Sequence, residues 1–235
     1  MLPAVDPERE LHLAEGEMLL VDKPQGWTSF DVVNKIRSLF HVRRIGHAGT
    51  LDPMATGLLI VCSGRKTKEL SQFVGLEKEY EGEMILGART PSFDAETPVS
   101  ERRSTEGVTE ERVRSVLREF VGQQTQIPPM WSAVKVQGRR LYEYARKGVE
   151  VGRSPREVFI TSITPGRIAV PTVAFTVVCS KGTYIRALVD DAGQRLGCGA
   201  YLSALRRTRI GPYRVTDALA IEDLIRYRTQ NRGAV

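Results

Sequence analysis

Short apolar runs recur along this chain at uneven intervals, and that irregular spacing limits the folds open to it. Met18–Val21 is followed by Lys23-Pro24-Gln25-Gly26 and reads as a strand entering a turn. Leu58–Cys62 reads as a buried strand. Tyr80–Leu86 alternates, with Tyr80, Gly82, Met84 and Leu86 on one side. Val158–Ile163 and Val173–Cys179 also read as strands, the second with Val173, Phe175, Val177 and Cys179 on one face. Helical spacing intervenes. Ser29 can cap a helix through Leu39, with Val32, Val33, Ile36 and Phe40 near one face. Lys66–Val74 reads as a second helix. Thr109 can cap a third that reaches Phe120, placing Glu110 and Glu111 where free amides and the helix dipole favour carboxylates. Thr183–Leu196 reads as a helix ended by Gly197, and Asp217 as the cap of a last helix containing Ile221, Leu224 and Ile225. Pro91–Gly107 reads as a loop, and Arg226–Val235 is expected to fray. Long, unequal connections favour α+β over a repeating βαβ array.

At 235 residues the chain can bury roughly 70% of its unfolded surface, so it needs no metal or disulfide staple. Three cysteines are too few for a disulfide scaffold, and their odd number argues against secretion. No apolar run reaches the roughly 20 residues that span a bilayer. The start, with Pro3, Asp6, Glu8 and Glu10, lacks the basic-then-apolar form of a signal peptide. A cytoplasmic protein is expected.

Lys and Arg total 34 against 28 Asp and Glu, a net charge of +6. The first sixteen residues are acidic, so the excess lies elsewhere. Between Lys135 and Arg156 stand Lys135, Arg139, Arg140, Arg146, Lys147, Arg153 and Arg156, opposed by Glu143 and Glu150 and interleaved with Tyr142 and Tyr144. Arg206, Arg207 and Arg209 form a cluster with no acid nearby in sequence, and Lys35, Arg37, Arg43 and Arg44 form a shorter one. Arginine matches phosphate with two donors at once, and basic runs with aromatics are a nucleic-acid surface. A solvated helix face would carry the same pattern.

Several chemistries lack their residues. His12, His41 and His47 join no Cys or acid cluster with metal spacing, and Cys62, Cys179 and Cys198 form no Cys-x-x-Cys pair. Gly64-Arg65-Lys66-Thr67 and Ser180-Lys181-Gly182-Thr183 lack the glycine spacing of a phosphate nest. Gly197-Cys198-Gly199 follows a helix rather than a strand, unlike a dinucleotide fingerprint. Carboxylates, tyrosines and arginines remain as candidates.

Gly46–Leu59 is the most informative window. Three glycines and Pro53 surround one acid, Asp52, just before a buried strand. Pro53 fixes its own φ and restricts Asp52 to extended or turn-like backbone. A short side chain on a stiff loop confines its oxygens to a small volume, as a nucleophile requires. An Asp-Pro turn without chemistry has the same composition.

This window closely resembles the signature of the TruB family of tRNA pseudouridine synthases. The resemblance continues in the same order through Leu20–Ser29, through Lys78-Glu79-Tyr80, and through Pro128–Lys135 with Gly138–Tyr142. It extends to Cys179–Arg186 and Leu202–Thr208. It covers about residues 18 to 225. The fold it implies is α+β, a pseudouridine synthase fold: a central mixed, largely antiparallel sheet flanked by helices, with an inserted RNA-gripping lobe at about residues 127–152. One catalytic domain is expected. No complete C-terminal PUA domain is expected, and Trp131 stands where the family commonly has tyrosine.

The resemblance implies isomerisation of uridine to pseudouridine in the T-loop, at position 55 of tRNA. It implies no cofactor and no metal. Asp52 is then the catalytic carboxylate, Arg186 its salt-bridge partner, Tyr80 the ring that stacks on the base, and Tyr184 a pocket tyrosine. Leu205 closes the apolar wall, and His47 fills the space of the flipped base. Lys135, Arg139, Arg140, Tyr142, Arg146 and Lys147 are expected to grip RNA. A monomer acting on the T-stem-loop, away from membranes, is expected. A basic RNA-binding or RNA-chaperone module without turnover would explain the arginines but not the ordered motifs.

Overall fold

A computed structural model of the protein describes residues 11–231. In chain order the elements are β1 (Met18–Lys23), α1 (Ser29–Phe40), β2 (Ile45–Ala48), β3 (Thr56–Ser63), α2 (Leu70–Gly75), β4 (Lys78–Leu86), β5 (Ala88–Arg89) and β6 (Glu101–Arg102). Then come α3 (Glu110–Arg118), β7 (Gly122–Gln126), β8 (Lys135–Val136), β9 (Arg139–Arg140), α4 (Leu141–Ala145), β10 (Arg156–Ala169) and β11 (Thr172–Cys179). The chain closes with α5 (Ile185–Leu196), β12 (Ala200–Ile210), β13 (Tyr213–Arg214) and α6 (Ile221–Gln230). The main sheet has the hydrogen-bonding order β1-β3-β12-β4-β11-β10-β7, with β2 joining β3 and β13 joining β12. β12 runs parallel to β3, while β1 and β2 on β3, β11 and β7 on β10, and β13 on β12 are antiparallel. The fold is α+β with a mixed, largely antiparallel sheet flanked by helices. The chain divides into two compact units: residues up to Tyr80 with those from Arg206 onward, and Glu81–Leu205.

In the first unit β3 is buried along nearly its whole length, which explains its unbroken apolar run. Leu59 and Val61 pack with Leu19 and Val21 of β1, Val32, Val33 and Ile36 of α1, and Ile221 and Leu224 of α6. Leu58, Ile60 and Cys62 pack with Ala48, Phe73 and Ile210. Each such aliphatic side chain contributes roughly 1.5–3 kcal/mol by leaving water. The cap of α1 is Thr28, not Ser29. Thr28 Oγ1 accepts from Asp31 N at 3.0 Å, and Asp31 Oδ2 accepts from Thr28 N at 2.8 Å. This reciprocal box satisfies two free amides and leaves Ser29 for another task. The helix expected at Lys66–Val74 divides into a 3₁₀ turn over Gly64–Glu69 and α2, with Thr67 Oγ1 donating to Gly64 O at 2.8 Å. Asp217 ends a 3₁₀ turn and caps nothing. Asp223 instead accepts from the amide of Ala220, the residue before α6, at 3.0 Å. That helix runs to Gln230, beyond the expected fraying point, because Tyr227 is buried and accepts a hydrogen bond from Leu11 N at 2.9 Å. Residues 1–10, including the acidic Asp6, Glu8 and Glu10, and residues 232–235 of the tail lie outside the described residues.

In the second unit β11 pairs with β10 and buries Val173, Phe175, Val177 and Cys179, as its alternation predicts. Thr109 caps α3, accepting from Arg112 N at 3.2 Å. α3 stops at Arg118 rather than Phe120, though Phe120 is still buried. Pro91–Gly107 is mostly loop but contributes β6, which pairs with β5. Sequence reading gave no strand at Gly122–Gln126. Its residues are polar, yet β7 takes ladder bonds from β10 in the register Arg156↔Gln126 to Ile160↔Gly122. Between β7 and β10 lies a hairpin, β8 and β9, turned by Gln137 at φ 50° and Gly138 at φ 81°. Two consecutive positive φ values make the turn whose twist suits a two-residue hairpin. Arg139 and Arg140 are therefore strand, and the helix expected over Arg139–Lys147 contracts to α4, anchored by buried Leu141.

Candidate active site

Asp52 is half-buried on the loop between β2 and β3, and that loop is bonded to its surroundings along its length. Ser29 Oγ accepts from Leu51 N at 2.9 Å and donates to Leu51 O at 3.3 Å, so one hydroxyl grips both main-chain groups of the residue before Asp52. Pro53 O, on the other side, accepts from Gly26 N at 2.8 Å and Lys23 Nζ at 3.3 Å. Lys23 is fully buried and also donates to Pro24 O at 3.0 Å and Trp27 O at 2.6 Å. Arg207, 1% exposed, donates from Nη2 to Gly49 O at 2.9 Å and from Nε to Leu58 O at 2.7 Å, closing both ends of the loop. An ammonium or guanidinium in the interior must be hydrogen-bonded, and here main-chain carbonyls supply the acceptors. The result is a carboxylate on a loop that has little freedom to move.

His47 lies on β2 opposite Val61. Burial first, and then the Arg207 guanidinium, hold its imidazole below its ordinary pKa, so it is neutral near pH 7. Among the described residues its buried Nδ1 has no hydrogen-bond partner. Tyr80, 9% exposed, sits on β4 two residues after Lys78, whose buried ammonium donates to Val74 O at 2.6 Å and Leu76 O at 2.5 Å. Asp52, His47 and Tyr80 all belong to the first unit.

Tyr184, Arg186 and Leu205 belong to the second. Tyr184 is the N-cap residue of α5, and Arg186, 2% exposed, is in its first turn. Arg186 donates from Nη1 to Ser92 O at 3.0 Å and from Nη2 to Trp131 O at 2.9 Å, and its Nη1 lies 3.3 Å from Asp94 Oδ2. Asp94 is fully buried and accepts from Ser92 Oγ at 2.5 Å and Glu96 N at 3.0 Å. Gln126 Oε1 accepts from Tyr184 N at 3.0 Å, while its Nε2 donates to Tyr184 O at 3.3 Å. Leu205 is buried on β12. Between β7 and β10, Lys135, Arg139, Arg140, Arg146 and Lys147 are all exposed. The guanidiniums of Arg140 and Arg146 stand 5.8 and 5.4 Å from the Tyr142 ring centre.

Sequence reading missed Lys23, Ser29, Asp94, Gln126 and Arg207 as site-forming residues. It also grouped Arg206, Arg207 and Arg209 as a cluster with no acid nearby in sequence, and the structure brings their partners from elsewhere in the chain. Arg206 pairs with Asp22 at 2.6 Å, and Arg209 with Glu77 at 3.1 Å and Glu79 at 3.4 Å, while Arg207 is buried. Strand parity carried a usable signal: Lys23 continues the buried series Leu19, Val21, and Arg207 follows Leu205 by two. Among the described residues no group of three or more His, Cys, Asp or Glu could hold a metal ion. Cys62, Cys179 and Cys198 are buried, and burial pushes the pKa of the Cys62 thiol up to about 11. No helix among the described residues is long and apolar enough to cross a membrane.

Residues 37–185 match the family model described as TruB family pseudouridylate synthase, N-terminal domain. Residues 186–234 match the tRNA pseudouridylate synthase B C-terminal domain. The chain belongs to the TruB family. It is 47% identical over 227 residues to tRNA pseudouridine synthase B of Chlorobium chlorochromatii, covering 94% of this chain and 89% of that one. It is 50% identical over 213 residues to the enzyme of the same name from Chlorobium luteolum, covering 88% and 74%. A chain in the crystal structure of a Cbf5-Nop10-Gar1 complex superposes with a TM-score of 0.73 at 30% identity, over 97% of this chain and 60% of the other. This chain thus spans about three fifths of that solved relative. As a TruB-family member it is a tRNA pseudouridine synthase, an isomerase that acts on tRNA.

Proposed function

We propose that this isomerase converts the T-loop uridine at position 55 of tRNA, with Asp52 as its catalytic carboxylate. The observation that carries the assignment is the loop itself. Ser29, Lys23 and Arg207 hold the main chain at Leu51, Pro53, Gly49 and Leu58, so Asp52 presents its oxygens without first having to be ordered. Arg186 serves as its salt-bridge partner in the working enzyme, since a guanidinium fixes a carboxylate in position as well as in charge. Tyr80 stacks on the extruded base and Tyr184 lines the same pocket. Leu205 supplies an apolar wall, and neutral His47 occupies the space the base leaves.

The reaction conserves atoms. The bond between N1 of uracil and C1′ of the ribose breaks, the base rotates, and C5 bonds to C1′. The proton on C5 is lost and N1 gains one. Nothing is oxidised and no group comes from outside. The exposed cations of the β7–β10 segment, Lys135, Arg139, Arg140, Arg146 and Lys147, neutralise backbone phosphates of the stem-loop while Tyr142 packs among them. We read residues 127–152 as the lobe of a single catalytic domain, and the enzyme as a cytoplasmic monomer.

Tritium at C5 of uridine in a tRNA transcript reports the reaction directly, because it is released as C5 joins the sugar. Wild-type protein is expected to release it without added metal or nucleotide, and Asp52→Asn only at background while still binding tRNA. Turnover by Asp52→Asn at the normal rate would remove Asp52 from the chemistry. Release from a transcript in which only position 55 is labelled tests the choice of uridine.

A further inference from the structure

Gln126 is the last residue of β7, immediately before the segment that carries the exposed cations. The residue is 4% exposed, so its amide must find partners inside the protein. It finds both on one residue, accepting from Tyr184 N at 3.0 Å and donating to Tyr184 O at 3.3 Å, across 58 positions of sequence. Tyr184 is the N-cap residue of α5 and makes no side-chain cap of its own. That place is usually filled by Ser, Thr, Asp or Asn, whose oxygen would take up a free amide. Here the helix start is held from outside by a neutral amide, which both donates and accepts at the required spacing. A carboxylate could only accept, and an aliphatic side chain could do neither. A second tie lies five residues along, where Trp131 O accepts from Arg186 Nη2 at 2.9 Å.

We infer that Gln126 is a positioning residue that couples the RNA-gripping lobe to the start of α5, an inference that rests on Tyr184 and Arg186 acting at the reacting nucleotide. The chain entering the lobe touches α5 at two points, Gln126 on Tyr184 and Trp131 on Arg186. Any shift of the lobe root when its cations meet RNA is therefore delivered to the Tyr184 main chain and the Arg186 guanidinium. The Gln126 clamp fixes the main chain on both sides of the Tyr184 α-carbon, which sets where the tyrosine ring and the next turn of helix point. Displacement of a reacting-site group by about 1 Å can cost about 100-fold in rate.

The test uses the full chain and a T-stem-loop RNA tritiated at uridine C5, with single-turnover rate and RNA affinity measured separately. Gln126→Leu keeps the size and removes both hydrogen bonds. Its rate at saturating RNA is expected to fall about 10- to 100-fold, with the dissociation constant changed less than about threefold. Gln126→Glu adds a readout that a purely structural role would not move. Ionised, that side chain can only accept. Protonated, it donates and accepts as the amide does. Its rate relative to wild type is therefore expected to rise as pH falls from about 8 toward 5, through the range of a buried carboxyl. Unchanged turnover in folded Gln126→Leu would overturn the inference. So would a loss that follows unfolding alone while the Gln126→Glu to wild-type ratio stays flat with pH. Normal turnover in Arg186→Ala would instead overturn the underlying reading of α5 as part of the active site.

Discussion

Arg207 donates from Nε to Leu58 O and from Nη2 to Gly49 O, and so spends its charge on the main chain of its own protein. A planar fork can span two carbonyls at the two ends of a loop, whereas an ammonium on a flexible stem cannot hold that geometry. Arg207→Met strands both acceptors. At about 1–3 kcal/mol for each unsatisfied buried group, unfolding free energy is expected to fall by roughly 2–6 kcal/mol. This is measured as a lower urea midpoint at unchanged slope, and an unchanged midpoint would refute the staple. The same guanidinium acts on His47, whose pKa is lowered by burial and, to a smaller degree, by Arg207. The unfolded chain therefore binds more protons than the folded one as pH falls through the ordinary histidine value near 6.5. The contribution of His47 to stability is present above that value and is lost below it. Urea midpoints of wild type and His47→Gln, compared between about pH 8 and pH 5, are expected to show wild type losing ground to the variant as pH drops.

At the scale of elements, α1 carries two adjacent hydroxyls with different tasks. Thr28 closes a capping box with Asp31, while Ser29 turns inward to hold Leu51 beside Asp52. Thr28→Ala is expected to cost about 1 kcal/mol in urea unfolding and to leave the rate at saturating tRNA unchanged. Ser29→Ala is expected to lower that rate. Equal effects on turnover would mean that the loop does not depend on the buried hydroxyl. The pairing of β3 with β12 is similarly local in its demands. A Cβ at Gly57, which has φ +101°, would lie 2.3 Å from Arg207 O, so no larger residue fits the parallel pair there. These details mark the limit of what the sequence makes legible. The strands β4 and β11 and the helices α1 and α3 are readable because each shows its own periodicity, β3 because its apolar run is unbroken, and α5 because Gly197 marks its end. The Asp52 loop is readable because its glycines and Pro53 are contiguous. β7 is not, because its polar residues gain their bonds only from β10. Likewise, Arg207 finds its carbonyls 149 and 158 residues away, and Asp94 meets Arg186 from within a segment that has no periodicity.

For the whole molecule the net charge of +6 matters less than which cations are already occupied. Arg206 and Arg209 are joined to Asp22, Glu77 and Glu79, and Arg207, Lys23 and Lys78 are buried against carbonyls. Lys135, Arg139, Arg140, Arg146 and Lys147 are exposed instead, and the described structure gives none of them a carboxylate partner within ion-pair distance. A cation that neutralises a phosphate releases a counterion from the RNA, so affinity falls with rising salt in proportion to the number of such contacts. A cation already held by a carboxylate has less to offer a phosphate, because binding there must first break the internal pair. Arg139→Gln or Lys147→Gln is therefore expected to weaken tRNA binding and reduce the slope of log affinity against log salt by about 1. Arg206→Gln and Arg209→Gln are expected to leave that slope within error, although each loses an ion pair and so some stability. Titrations at four or five salt concentrations separate these outcomes. If the paired arginines reduced the slope as much as the lobe cations do, RNA would have to displace Asp22, Glu77 and Glu79, and the electrostatic footprint would no longer be confined to the segment between β7 and β10.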